Sequence, residues 1–219
     1  MNSFVTGFVK VTGLPVQYFY FRKKIYYEDK KHTSRKIKGG ALIVSNHTSV
    51  YDYPLIMYTF FKRVIHTLVA EVIYQKSSFM NKLMNDLGAI RVDRDTYNFN
   101  FMYKMIEILN NNKVGLVFPE SRLPTEKDEP GQLLEFKPSY VYLALQCGVP
   151  IIPVYTNGVY GHKVRKAKKD HARIIIGKKF YINDLYDSNK TEKENIEFIN
   201  DYIKNKIKCL GEQLESLKK

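Results

Sequence analysis

The sequence predicts an α/β domain: a mixed, largely parallel sheet flanked by helices. Two observations carry this. Short apolar runs such as ALIV and VPIIPV alternate with segments whose apolar residues recur at helical spacing. Glycine closes two of those helical segments, at Gly88 and Gly148, just before the next apolar run. Strands separated by helices need crossover connections, which make neighbouring strands parallel. With 219 residues, 44% hydrophobic and 26% charged, the chain suits one substantial domain.

The elements follow in order. The first twenty residues are apolar and aromatic, with Phe4, Phe8, Val11, Leu14, Tyr18, Phe19 and Tyr20 among them. Residues 22–38 then carry eight Lys/Arg against two acids. An apolar segment beside a cationic one suits the face of an anionic bilayer, although a packing helix followed by a solvated strand and turn fits the same residues. From Gly39 the pattern becomes regular. ALIVSN (41–46) reads as a buried strand, and 50–61 as a helix that tolerates Pro54 only in its first turn. Residues 66–71 read as strand, 78–88 as helix, 89–93 as strand, 97–113 as helix and 114–118 as strand. Then come a helix at 137–148 and strands at 149–155 and 172–182. A long amphipathic helix at 191–219 carries Ile196, Ile199, Ile203 and Ile207 on one stripe. The expected organisation is a membrane-contacting segment over 1–38 and a catalytic domain over 39–219.

Charge narrows the partner. Lys and Arg outnumber acids 35 to 22, for a net charge of +13, so the partner is expected to be anionic. The two cysteines, Cys147 and Cys209, form no metal-binding or disulfide pattern, which points to a reducing compartment. No stretch is long and apolar enough for a spanning helix, and no signal peptide is predicted.

The chemistry centres on SNHTSVYD, residues 45–52. His47 follows a buried strand, and ligands of open α/β sheets bind beyond the carboxyl ends of strands. Five residues along a continuous helix is a rotation of about 500°, so His47 and Asp52 meet only if His47 lies in the loop before the helix. Asn46, Thr48 and Ser49 are loop and cap formers that supply that loop. A carboxylate on one ring nitrogen fixes the tautomer and leaves the other nitrogen as a base. The pattern has a second reading. Ser49-x-x-Asp52 resembles a capping box, in which Asp52 serves the helix start alone. Other ionic residues also fall just past strands: Arg94 after 89–93, and Glu120 and Arg122 after 114–118. Lys137 stands at the start of the helix at 137–148. Cations converging on one sheet rim suit a phosphate monoester.

His47-x-x-x-x-Asp52, Gly88 to Arg94, Phe118-Pro119-Glu120-x-Arg122 and Val149-Pro150-Ile151-Ile152-Pro153, in that order, resemble the four blocks of the glycerolipid acyltransferases. The match is closest to the 1-acyl-glycerol-3-phosphate acyltransferases and covers roughly residues 40 to 157. The resemblance implies the glycerolipid acyltransferase fold. It implies His47 as the base toward a glycerol hydroxyl and Asp52 as its partner. It implies acyl-CoA or acyl carrier protein as thioester donor, and a lysophospholipid acceptor whose phosphate Arg94, Glu120 and Arg122 hold. No metal or cofactor is implied. Peripheral or monotopic attachment to the cytoplasmic face of a membrane is expected. The chain departs from the family pattern at Ser121 and Ser139, where glycine is usual, and in a longer acidic stretch over 123–135. These departures bear on the acceptor, and another lysolipid or a glycolipid stays open.

Two other classes compete. Residues 161–179 carry eight Lys/Arg against one acid, as a nucleic-acid-binding protein might require, but the aromatics gather elsewhere and form no stacking platform. The reading therefore takes anionic lipid and excludes nucleic acid. A hydrolase using His47 and the arginines would release its product without an acceptor.

Overall fold

The computed structural model describes residues 1–93, 99–129, 131–160 and 171–217. Its sheet contains β1 (Lys24–Tyr27), β2 (Ala41–Ser45), β3 (Ile65–Ala70), β4 (Ile90–Val92), β5 (Val114–Val117), β6 (Ile151–Asn157) and β7 (Arg173–Ile176). The strand order is β1-β7-β6-β2-β5-β3-β4. All neighbours are parallel except β6 and β7, which pair antiparallel. This is the mixed, mostly parallel sheet that the strand–helix alternation predicts.

The helices are α1 (Ser3–Thr12), α2 (Asp52–Thr59), α3 (Glu71–Gln75), α4 (Ser78–Leu87), α5 (Asn100–Asn110), α6 (Ser139–Cys147) and α7 (Glu192–Ser216). Every residue of β2 is buried, as expected of a central strand covered on both faces. Its side chains alternate. Leu42 and Val44 enter a core with Met105 and Leu109 of α5, Tyr140 and Leu143 of α6, and Ile203 and Ile207 of α7. Ala41 and Ile43 join Leu55 and Ile56 of α2, with Phe21, on the other face. The α7 stripe Ile196, Ile199, Ile203 and Ile207 is fully buried, and each side chain contributes about 1.5–3 kcal/mol by leaving water. A capping box between Thr191 and Glu194 starts that helix.

Three parts differ from the sequence reading. Residues 24–27 form an edge strand of the sheet, so the sheet begins inside the segment assigned to membrane contact. This strand is short and half-exposed, and its flanking lysines hide it in a cationic run. The run 172–182 divides into β7, a single bridge from Phe180 to Ile151, and a 3-10 turn at Ile182–Leu185. The short α3 follows β3 directly and carries too few residues for a period to show.

The N-terminal segment packs inside out. Thr6, Lys10 and Gln17 are buried, whereas Phe4, Tyr18 and Phe19 are each about four-fifths exposed (80%, 80% and 79%). Phe8, Val11, Leu14, Val16 and Tyr20 are exposed with them. The Lys10 ammonium donates to the carbonyls of Phe61 at 2.7 Å and Arg63 at 2.6 Å, just past the end of α2. The Tyr58 hydroxyl of α2 donates back to the Val9 carbonyl. Lys23 reaches the Leu55 carbonyl at 3.4 Å. Among the described residues, no helix is long and apolar enough to cross a membrane.

Burial, with Arg35 nearby, pushes the Lys23 amine from its ordinary 10.5 down to about 7. Between those values the unfolded chain binds a proton that the folded one sheds, so this group's contribution to stability rises with pH across that window. Replacing Lys23 with Met is expected to raise the melting temperature at pH 7, and by less at pH 10. Thermal unfolding at both pH values measures this, and an equal gain at both would exclude the amine as the cause.

Candidate active site

The site is assembled at the carboxyl ends of three adjacent parallel strands. β2 lies between β5 and β6, with Ile43 opposite both Leu116 and Ile152. The loop after β2 carries His47, the turn after β5 carries Glu120, and β6 itself carries Thr156. Their proximity follows from register, because parallel neighbours end on the same side.

His47 and Asp52 meet as the loop geometry predicts. Nδ1 of His47 lies 3.0 Å from an Asp52 carboxylate oxygen. Asp52 is the first residue of α2, and its carboxylate is buried while the imidazole is about one-fifth exposed (1% and 22%). The same Asp52 oxygen accepts from the backbone amides of Thr48 at 2.7 Å and Ser49 at 2.8 Å. The other oxygen accepts from the Thr156 hydroxyl at 3.0 Å. The Asp52 carboxylate thus serves the turn before α2 and the imidazole together. One carboxylate closes the turn before α2 and holds the ring. Two amides, a hydroxyl and the ring nitrogen thus surround this carboxylate. A hydrogen bond donated by Nδ1–H to Asp52 would leave the Nε2 lone pair of His47 to accept a proton.

Phe118 fixes the ring from the side. Its ring stacks on the imidazole with centroids 4.3 Å apart and planes 19° apart. Asn46 fixes the loop from below. Its side chain donates to the Thr156 carbonyl at 2.9 Å and accepts from the Thr156 amide at 2.7 Å. The Thr48 hydroxyl donates to the Val159 carbonyl at 3.0 Å. Phe118 and Thr156 were given no role by the sequence, and Asn46 only that of a loop former. Asn46 precedes His47 and Thr156 follows the VPIIPV run, but nothing in spacing joins positions 110 residues apart.

The expected phosphate-holding residues have separate fates. Glu120 is buried, and its two oxygens accept from the His47 amide at 2.9 Å and the Leu134 amide at 3.0 Å. Burial pushes this carboxyl upward while the two amides oppose the shift. Both Glu120 oxygens are thus engaged by backbone amides, and the side chain braces the His47 loop. Arg122 is half-exposed and forms a bidentate pair with Asp128, at 2.7 and 2.8 Å. Lys137 is exposed and pairs with Glu135 at 3.3 Å. The helix starts two residues later than predicted, at Ser139, so Lys137 precedes it, and among the described contacts its ammonium makes none to His47 or Asp52. Arg94 lies outside the described residues, as does most of the cationic stretch 161–179. Ser121 adopts φ +59, the left-handed conformation that the family's glycine would take without strain. Its hydroxyl donates to the Pro119 carbonyl at 3.2 Å. Among the described residues, no cluster of His, Cys, Asp and Glu is suited to a metal ion.

Thr156 supplies the donor that a buried Asp52 oxygen needs. Thr156→Val is expected to cost about 1–3 kcal/mol of unfolding free energy, because a charged acceptor is left unpaired. Denaturant unfolding measures the loss, and a change within about 0.5 kcal/mol would show that the hydroxyl contributes little.

Comparison with known proteins agrees with this architecture. The family model described as Acyltransferase matches residues 24–157. A 1-acyl-sn-glycerol-3-phosphate acyltransferase from Limnanthes douglasii is 28% identical over 130 residues, covering 58% of this chain and 44% of that protein. The chain thus spans less than half the length of that relative. A protein of the same name from Haemophilus influenzae is 26% identical over 194 residues, covering 85% of this chain and 74% of its own. The crystal structure of the 1-acyl-sn-glycerophosphate (LPA) acyltransferase PlsC from Thermotoga maritima superposes with a TM-score of 0.66 at 20% identity, over 94% of this chain and 80% of that one. That likeness extends the shared fold over nearly the whole chain. The family match includes β1, β2 with the His47–Asp52 loop, the Phe118–Arg122 turn and β6, so this chain is a member of the acyltransferase family.

Proposed function

We propose that the chain transfers a fatty acyl group from a thioester, carried on CoA or acyl carrier protein, to a glycerol hydroxyl of a lysophospholipid. The acceptor proposed is 1-acyl-glycerol-3-phosphate. The observation that carries the reading is the His47–Asp52 pair, an imidazole about one-fifth exposed on a buried carboxylate. The names of the relatives from Limnanthes and Haemophilus support the acceptor.

In this mechanism His47 Nε2 takes the proton of the glycerol hydroxyl. The oxygen attacks the thioester carbonyl and forms a tetrahedral intermediate. Collapse breaks the carbon–sulfur bond and forms the ester, and the departing thiolate takes the proton back from the imidazolium. Asp52 stabilises the imidazolium between those steps. No protein acyl intermediate is needed, because the acceptor itself is the nucleophile. Arg122 is the proposed anchor for the acceptor phosphate.

The N-terminal segment is the proposed contact with an anionic membrane surface, on its cytoplasmic face. A soluble helix normally turns its apolar side to the core, whereas α1 turns Thr6 and Lys10 inward and Phe4 and Phe8 outward. Trp-free but rich in Tyr and Phe, the exposed patch has the amphipathic rings that favour an interface, and the cationic residues 22–38 lie next to it in the chain.

His47→Ala is expected to lower kcat by at least about 10³-fold with the melting temperature little changed, and Asp52→Asn to be severely impaired. Steady-state assays of thiol release with acyl-CoA and 1-acyl-glycerol-3-phosphate measure this. Most of the activity surviving in purified His47→Ala would remove the mechanism. Phe19→Asp is expected to weaken binding to anionic vesicles about tenfold or more, in a flotation assay at fixed salt. Unchanged binding would remove the proposed contact surface.

A further inference from the structure

Arg122, the proposed phosphate anchor, is already occupied by a carboxylate from its own chain. Both terminal nitrogens face Asp128, and one of them also donates to the Leu123 carbonyl at 3.2 Å. Three of the five donors of a guanidinium are thereby used, two of them in the fork that a phosphate would take. Asp128 is set for this position. It accepts from the Thr125 amide at 2.7 Å and from the Thr125 hydroxyl at 2.8 Å. Arg122 and Thr125 together hold its carboxyl well below the usual carboxylate range. The exposure is asymmetric: the Arg122 side chain is half open to solvent (50%), and that of Asp128 is mostly covered (16%).

We infer that Asp128 is a resident competitor for the acceptor's phosphate, and so sets how strongly the site favours phosphorylated over uncharged headgroups. The inference rests on the proposed role of Arg122 as the phosphate anchor. A phosphate monoester brings up to two charges and three acceptor oxygens against the single charge of Asp128, so it can displace the carboxylate or share the guanidinium with it. An uncharged headgroup can do neither. In both cases Asp128 weakens anion binding and leaves an uncharged ligand nearly untouched. The surrounding segment allows the exchange. Asp128 lies in the stretch between Arg122 and Leu134, and the far end of that stretch is held by the Leu134 amide on Glu120. Asp128 can therefore leave Arg122 while Glu120 keeps its bond to the His47 amide.

The test measures KM for 1-acyl-glycerol-3-phosphate and the inhibition constant of monoacylglycerol against it, in the full chain and in Asp128→Asn, Asp128→Ala and Arg122→Ala. Asp128→Asn and Asp128→Ala are expected to lower KM for the phosphorylated acceptor about two- to fivefold, the range of an exposed ion pair. The inhibition constant of monoacylglycerol should not change. Combined with Arg122→Ala, either Asp128 substitution should lose its effect on KM. An unchanged KM in both Asp128 variants overturns the competition, as does an equal gain for monoacylglycerol or a gain that persists without Arg122. Arg122→Ala alone should raise KM for the phosphorylated acceptor. If it does not, the phosphate assignment fails, whereas a raised KM there with no Asp128 effect defeats the competition alone.

Discussion

The buried carboxylate of Asp52 is the interaction on which the rest of the site depends. A carboxylate removed from water needs donors on all sides, and here they come from two places in the chain, the loop after β2 and strand β6. The Thr48 and Ser49 amides belong to the loop after β2, the hydroxyl belongs to Thr156 in β6, and the ring nitrogen belongs to His47. Satisfying this carboxylate therefore fixes the loop, the start of α2 and the His47 ring at once. This explains how a five-residue spacing that is wrong for a shared helix face still brings the two side chains together.

Around that carboxylate, support for His47 comes from the neighbouring strand ends. Phe118 restricts the ring plane and Glu120 holds the His47 amide, both from the turn after β5. Asn46 and Thr156 tie the β2 loop to β6 by a reciprocal pair of bonds. The left-handed Ser121 sits in the same turn as Phe118 and Glu120, so the strain of a side chain at φ +59 is accepted where the chain must reverse sharply beside the base. Such strain persists only where surrounding bonds over-determine the backbone; here the Pro119 carbonyl accepts from the Lys137 amide and the Ser121 hydroxyl, and the Glu120 carbonyl accepts from the Arg122 amide.

The inverted packing of the first helix links the outer surface to this centre. Lys10 binds the carbonyls just beyond α2, where a helix carries partial negative charge, and Tyr58 of α2 returns a bond to Val9. Phe21 packs against Tyr51, the residue just before Asp52. The apolar patch is thus attached to the same helix whose first residue, Asp52, holds the His47 ring.

The sequence by itself determined the strand–helix alternation, the central buried strand, the isoleucine stripe of α7 and the placing of His47 in a loop. Each of these is encoded in local period, in cap residues or in short spacing, and local patterns survive in a single chain read end to end. Local signals failed at β1, whose four residues lie in a cationic run, and at the roles of Glu120, Asn46 and Thr156. Only the tertiary structure decided these, because strand order and parallel register bring together residues more than 70 positions apart. It also decided which cations are committed. Arg122 and Lys137 read as free charges in sequence, but folding sets each beside a nearby carboxylate, Asp128 and Glu135, and their availability to a ligand depends on those partners.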